Sequence, residues 1–212
     1  IMIPMRNRKK TLEVTMEEMR NFSFTYIEKY APSKQQLRTY LLKKYLKAKV
    51  PNIKKQDITD LIDIVLVDLE KSKFISDKFY SESKSRSLIQ KGSSINKIRS
   101  YLFSKGINDN YIKETIDKIK EDNSDQDFYS GIKICKKKRI GPARAEDNRP
   151  LFYKKDISLL ARNGFGFETS KRIMDIDQAD YLKIIKLLWF FFFFFSQVIN
   201  LISYIVFNKY KN

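Results

Sequence analysis

The chain has 212 residues, room for one ordinary domain or several small repeats, and 42% of them are apolar, enough for a core once the last segment is set aside. Forty-two Lys and Arg against 25 Asp and Glu leave +17, a balance that favours polyanions such as nucleic acid, anionic lipid or an acidic protein groove. There is no histidine and Cys135 has no second cysteine to pair with, so Ser-His, Cys-His and histidine-zinc sites are excluded, no cofactor or metal is expected, and a reducing cytoplasmic setting fits best.

Residues 1–14 carry Arg6, Arg8, Lys9 and Lys10, lack the apolar run of a secretory signal, and read as a basic arm. From Thr15 to Tyr30, the residues Met19, Phe22, Tyr26 and Ile27 fall at helical spacing, and Pro32 stops that helix at Ala31. Ser33 with Gln36 predicts a capping box for a second helix. Beyond Pro51, Ile58, Leu61, Ile62, Val65, Leu66 and Leu69 make a third, whose Asp57, Asp60 and Asp63 are its wet side rather than a catalytic cluster.

The next three helices keep their punctuation. Ser76 or Asp77 caps the first, Gly92 ends it, and Ser94 caps a second carrying Ile95, Ile98, Tyr101 and Leu102. Gly106 stops that one, and Asn108 or Asp109 opens a third with Ile112, Thr115, Ile116 and Ile119. Ser124 with Asp127 predicts another capping box and a helix from Phe128, which ends in the strongest basic run of the chain, Lys136, Lys137, Lys138 and Arg139. Cys135 lies on its apolar side, as a small hydrophobe would. Leu160, Gly164, Phe165 and Ile173 close the pattern, although Asp156 stands where apolar residues are expected and a long insert precedes it.

Parts of this series recur at roughly fifty residues, the mark of stacked helical repeats. APSKQQLRTYLLKK from Ala31 aligns without gaps on GSSINKIRSYLFSK from Gly92, matching Ser33, Arg38, Tyr40, Leu41 and Lys44 to Ser94, Arg99, Tyr101, Leu102 and Lys105. FYSGIK from Phe128 repeats FYSESK from Phe79, and DISLLARNGF from Asp156 places Leu160 over Leu102 and Gly164 over Gly106. The expected fold is therefore all-α: an arm at 1–14, helical repeats at 15–71, 72–121 and 122–178 in an elongated curved array, and a hydrophobic tail at 183–208. Within that tail the run 187–207 carries no charge and has the length of a membrane-crossing helix, so it reads either as a C-terminal anchor or, from its successive phenylalanines, as a read-through product.

An apolar pair before Ser-Asp-x-x-Tyr (Phe74 to Tyr80), then Ser-x-x-x-Ile-Arg-x-x-Leu-x-x-Lys-Gly-Ile (Ser94 to Ile107), then Asn-Gly-Phe (Asn163 to Phe165), resembles the bacterial RecX regulatory proteins over about Phe24 to Asp177. That resemblance implies tandem three-helix repeats, binding to the RecA filament on single- or double-stranded DNA, and inhibition of recombinase and co-protease activity by a protein that is not an enzyme and acts as a monomer. Two other readings stand beside it, a nonspecific nucleic-acid-binding helical protein and a helical adaptor held on a membrane by 187–207. The residues expected to face the filament or another polyanion are Arg38, Lys44, Arg99 and Lys105, which recur at matched positions, with Lys136, Lys137, Lys138 and Arg139. Tyr40 and Tyr101 are read as core rather than as stacking platforms.

Overall fold

A computed structural model describes residues 12–48, 53–188 and 190; the cluster from Arg6 to Lys10, Pro51 and most of the run 187–207 lie outside the described residues. Among the described residues all regular structure is helical. In order it runs α1 (Met16–Tyr30), α2 (Lys34–Lys47), α3 (Lys55–Lys71), α4 (Asp77–Gln90), α5 (Ile95–Ser104), α6 (Asp109–Asp122), α7 (Gln126–Lys138), short 3-10 turns at Gly141–Ala143 and Glu146–Asn148, α8 (Arg149–Arg162) and α9 (Phe167–Met174), then helical residues 178–188. No helix among the described residues is long and apolar enough to cross a membrane.

Two compact units are formed, one from the described residues of Ile1–Ser85 and Arg99–Asp117, the other from those of Arg86–Ile98 and Lys118–Asn212. The first closes over Met19, Leu37, Leu41, Tyr45, Ile62 and Leu66, the apolar stripes of α1, α2 and α3 that no single helix can bury alone. The second closes over Phe128, Ile132, Cys135, Leu160, Ile173 and Tyr181. Ile184, Ile185 and Leu188 pack on that same core, so apolar residues beyond 178, some of them within the expected tail, take part in the fold of the second unit.

Most helix starts follow the local signals. Thr15 accepts from the Glu18 amide, Ser33 and Gln36 form both bonds of the capping box, Ser76 accepts from Phe79, and Asn108 accepts from Asn110. The box expected at Ser124 and Asp127 does not form. There α7 begins after Asp125 without a side-chain cap, and Asp127 is used elsewhere.

Its use is part of a matched set of contacts. Ser33 Oγ accepts from the Gln36 amide at 3.2 Å and donates to the Lys105 carbonyl at 2.7 Å. Ser94 Oγ accepts from Lys97 at 3.2 Å and donates to the Asn163 carbonyl at 2.8 Å. The first amide of α2, on Lys34, donates to Asp77 Oδ1 at 2.8 Å, and the first amide of α5, on Ile95, donates to Asp127 Oδ1 at 2.7 Å. Burial raises both carboxyls above their ordinary range, against the pull of those amides. The glycines fit the same plan: at Gly106 (φ +73) an added Cβ would meet Gln35, and at Gly164 (φ +86) it would meet Ser94, so both the left-handed backbone and the close approach demand glycine.

Asp156 is 1% exposed at a position matched to the buried Leu37 and Ile98. The insert before it supplies its partners: the Gly141 amide donates at 2.8 Å, and Arg144 donates through Nε at 2.6 Å and Nη2 at 2.9 Å. Burial pushes this carboxyl up, but the Arg144 and Gly141 hydrogen bonds outweigh it and hold it below its ordinary value. The register marked by Leu160, which is fully buried, is thus kept by adding a buried ion pair.

Two predictions follow from these contacts. Ser33→Ala and Ser94→Ala should each lower stability to urea by about 1–2 kcal/mol, as the loss of a cap that also satisfies a carbonyl requires, whereas exposed Ser158→Ala should change it by less than about 0.5 kcal/mol. For Asp156, a lowered folded pKa means stabilisation that is present above the unfolded carboxylate value and is lost as pH falls through the folded one. Arg144→Gln should cost about 3 kcal/mol near neutral pH, and because it leaves a buried charge short of partners, the variant should recover stability relative to the parent on acidification; a parallel offset at every pH counts against the ion pair.

Candidate polyanion interface

Charge is sorted by helix. α2 carries Lys34, Arg38, Lys43, Lys44 and Lys47 and no acid, α5 carries Lys97 and Arg99 and no acid, and the lone carboxylate of α8 is the buried Asp156. By contrast α3 holds Asp57, Asp60, Asp63, Asp68 and Glu70, and α6 holds Asp109, Glu114, Asp117, Glu121 and Asp122. The second helix of each aligned stretch is therefore cationic on whatever surface it presents.

The matched cations do not share one face. On α2 the buried stripe Leu37, Leu41 and Tyr45 separates Arg38, which turns to α3, from Lys44, which turns to α1. Arg38 makes a two-pronged pair with Asp63, Nε to Oδ1 at 2.6 Å and Nη2 to Oδ2 at 2.9 Å, and the hydrogen bond from Arg38 holds Asp63 below the usual carboxylate range. Lys34 is likewise paired, with Glu70 at 2.6 Å. Lys44 Nζ lies 3.6 Å from the centre of the Phe22 ring and 6.0 Å from that of Tyr40. Among the described residues Lys43, Lys44 and Lys47 have no carboxylate partner, so the unneutralised charge of α2 lies in its C-terminal half.

Arg99 is exposed and borders an open hollow with Phe103, Asp109 and Lys113. Lys105 lies just past the end of α5, with Nζ 5.2 Å from the Tyr101 ring centre, and borders a different hollow with Tyr26, Gln36, Tyr40, Lys43 and Ser104. Lys136, Lys137, Lys138 and Arg139 are all exposed at the C-terminal end of α7, where their charge suits the helix dipole; Arg139 is the cap residue, at φ 53.

Tyr40 and Tyr101 are half-buried, unlike the fully buried Leu41 and Leu102 beside them, and Tyr40 packs at the margin of the first unit's core. Tyr40 stacks on Tyr26 of α1 with ring centres 4.1 Å apart and planes at 12°, and Tyr30 continues the group 4.8 Å from Tyr26. Tyr101 meets Tyr80 of α4 through their hydroxyls at 3.4 Å. Alignment alone missed Lys43, Lys47 and this pairing. The absence of acid from α2 is the signal in the sequence that could have found the two lysines; the tyrosine pairing has none. Among the described residues no group of acidic, cysteine or histidine side chains is arranged to hold a metal ion.

No family model matches the chain. The regulatory protein RecX of Myxococcus xanthus (strain DK1622) is 26% identical over 181 residues, covering 82% of this chain and 93% of that protein. The crystal structure of a regulatory protein RecX is similar to this one with a TM-score of 0.52 and 17% identity, over 76% of this chain and 74% of that one.

Because Arg38 is neutralised by Asp63, Arg38→Gln should shift the salt needed to elute the protein from heparin much less than Lys43→Gln does. Equal shifts would mean that the ion pair does not withhold Arg38 from a polyanion.

Proposed function

We propose that this chain, related in sequence and fold to the RecX regulatory proteins, is itself a regulatory protein that binds the RecA filament on DNA and restrains its recombinase and co-protease activity, acting by occupancy and not as an enzyme. The observation that carries the reading is the sorting of charge: α2 and α5 hold no acid, and α8 hides its one carboxylate. A chain that carries a cationic helix in each repeat suits a ligand dense in negative charge, and nucleic acid inside a protein filament is such a ligand. The matched contacts of Ser33 and Ser94, and of Asp77 and Asp127, support reading the chain as tandem repeats. In this proposal Arg99, Lys105 and Lys136 to Arg139 contact the polyanion, with Lys43 and Lys47 added and Arg38 secondary, and the protein works as a cytoplasmic monomer.

The same cationic helices serve the simpler reading, a nonspecific nucleic-acid binder, so the test compares ligands. Retention on RecA–DNA filaments should exceed retention on bare DNA at the same salt, and should fall steeply as salt rises. Charge reversal of Arg99 and Lys105 together should weaken filament binding and relieve inhibition of strand exchange, while reversal of Lys55 and Lys71 at the two ends of α3 should do much less. Equal retention on filament and bare DNA would leave only the nonspecific reading. Unchanged inhibition after the Arg99 and Lys105 reversal would place the surface elsewhere.

A further inference from the structure

We propose that the hollow bordered by α1, α2 and the end of α5 is a single-stranded nucleic-acid site, taking a base against the Tyr26–Tyr40 pair and a phosphate on Lys43 and Lys105. This rests on the polyanion reading above and assigns its first nucleotide contact. The hollow is open, about 390 Å³ in volume, and within the size range of small-ligand clefts. No carboxylate lines it, whereas the hollow beside Arg99 includes Asp109 and the one beside Arg38 includes Asp63 and Asp77. An anion entering here therefore meets two ammonium groups and no competing acid.

Cations alone would accept any anion. The rings make the site selective for nucleotides over simple anions. Tyr26 and Tyr40 are held parallel at 4.1 Å, both half-buried against the core of the first unit, with the exposed Tyr30 ring 4.8 Å from Tyr26, so flat aromatic surface borders the hollow. Burial, then the neighbouring Tyr26 and Tyr30, raises the Tyr40 phenol above its ordinary value, so it stays a hydroxyl, able to donate as well as accept, at any physiological pH. Gln36 uses its side-chain oxygen to accept from the Ser33 amide, which leaves its amide donors, and Ser104 and Thr39 border the hollow with hydroxyls that donate to the Tyr101 and Gln35 carbonyls and so can only accept from a ligand. Such groups read base edges weakly. Stacking is tolerant of base identity, so the expected ligand is any unpaired strand, with double-stranded DNA excluded from the ring contact because its bases face one another.

The pairing of a first-helix tyrosine with a second-helix tyrosine recurs as Tyr80 with Tyr101, but Tyr80 is buried there and offers no comparable surface. At the position matched to Tyr40, α8 has Leu159. One such site is thus assigned, in the first unit.

The experiment measures binding of the full chain to a labelled thymidine oligonucleotide, to an abasic oligonucleotide of the same length, and to heparin, at one salt concentration. The unmodified protein should bind the thymidine strand about tenfold more tightly than the abasic one, the scale of one stacked base. Tyr26→Leu and Tyr40→Leu keep apolar packing but lose the stacking surface, and should abolish that preference while leaving abasic and heparin binding in place; Tyr40→Phe should retain it. Lys43→Gln should weaken all three ligands together. Equal binding of thymidine and abasic strands by the unmodified protein overturns the site without need of any variant, as does a preference that survives both leucine substitutions. Filament retention measured in parallel separates the two proposals: base preference without filament retention defeats the RecA reading and leaves this site standing, while filament retention without base preference does the reverse.

Discussion

An α-helix begins with amides that have no partner of their own, and where the start is buried those amides must be satisfied by protein. Ser33 and Ser94 are both fully buried, and each solves the problem twice, accepting from the third amide of its own helix and donating to the last carbonyls of another second helix. Asp77 and Asp127 then take the first amide. The donors at one helix start and the acceptors at another helix end are thus consumed together, and the opposed ends of the two helix dipoles meet. Everything else in the aligned stretches is arranged around that junction: the glycine that lets the chains approach, the buried leucines one turn on, and the cationic surface that remains outside.

How much of this was legible follows from what a local pattern contains. Helix periods, the capping box at Ser33 and the stops at Gly92, Gly106 and Gly164 depend on neighbours a few residues away, and they stand in the structure where the sequence places them. Asp77 and Asp127 were ambiguous for the opposite reason. Each sits at a helix start and has the chemistry of a cap, yet each serves an amide 43 or 32 residues back in the chain, a fact no local window holds. The same applies to Arg38. Aligned on Arg99 it looks like a repeated binding residue, but Asp63 comes from the following helix to meet it. Repetition in sequence marks what is shared by position, and that includes structure as well as function.

Tyr40 shows a different limit. Next to the fully buried Leu41 it carries the pattern of a core residue, and an aromatic ring at the margin of a stripe has no sequence mark that tells burial from half-burial. Its neighbour Tyr26 lies fourteen residues away on another helix, so the stacked pair became visible only when α1 and α2 were packed.

Asp156 and the segment that holds it carry a historical constraint. The segment alone, with an apolar residue at 156, leaves the Arg144 guanidinium to solvent and one neutral amide, that of the buried Gly141, without its carboxylate partner. The aspartate alone, without Arg144 or the Gly141 amide, is a charge in apolar surroundings, the more costly of the two half-assembled states. Of the two orders in which the pair can be acquired, loop first is the route that avoids that state, and once both are present neither is easily lost. Exchange of this part of the chain between relatives is therefore expected to succeed only as a block from Gly141 through Asp156, which makes this stretch of apparent insert and helix a single heritable piece.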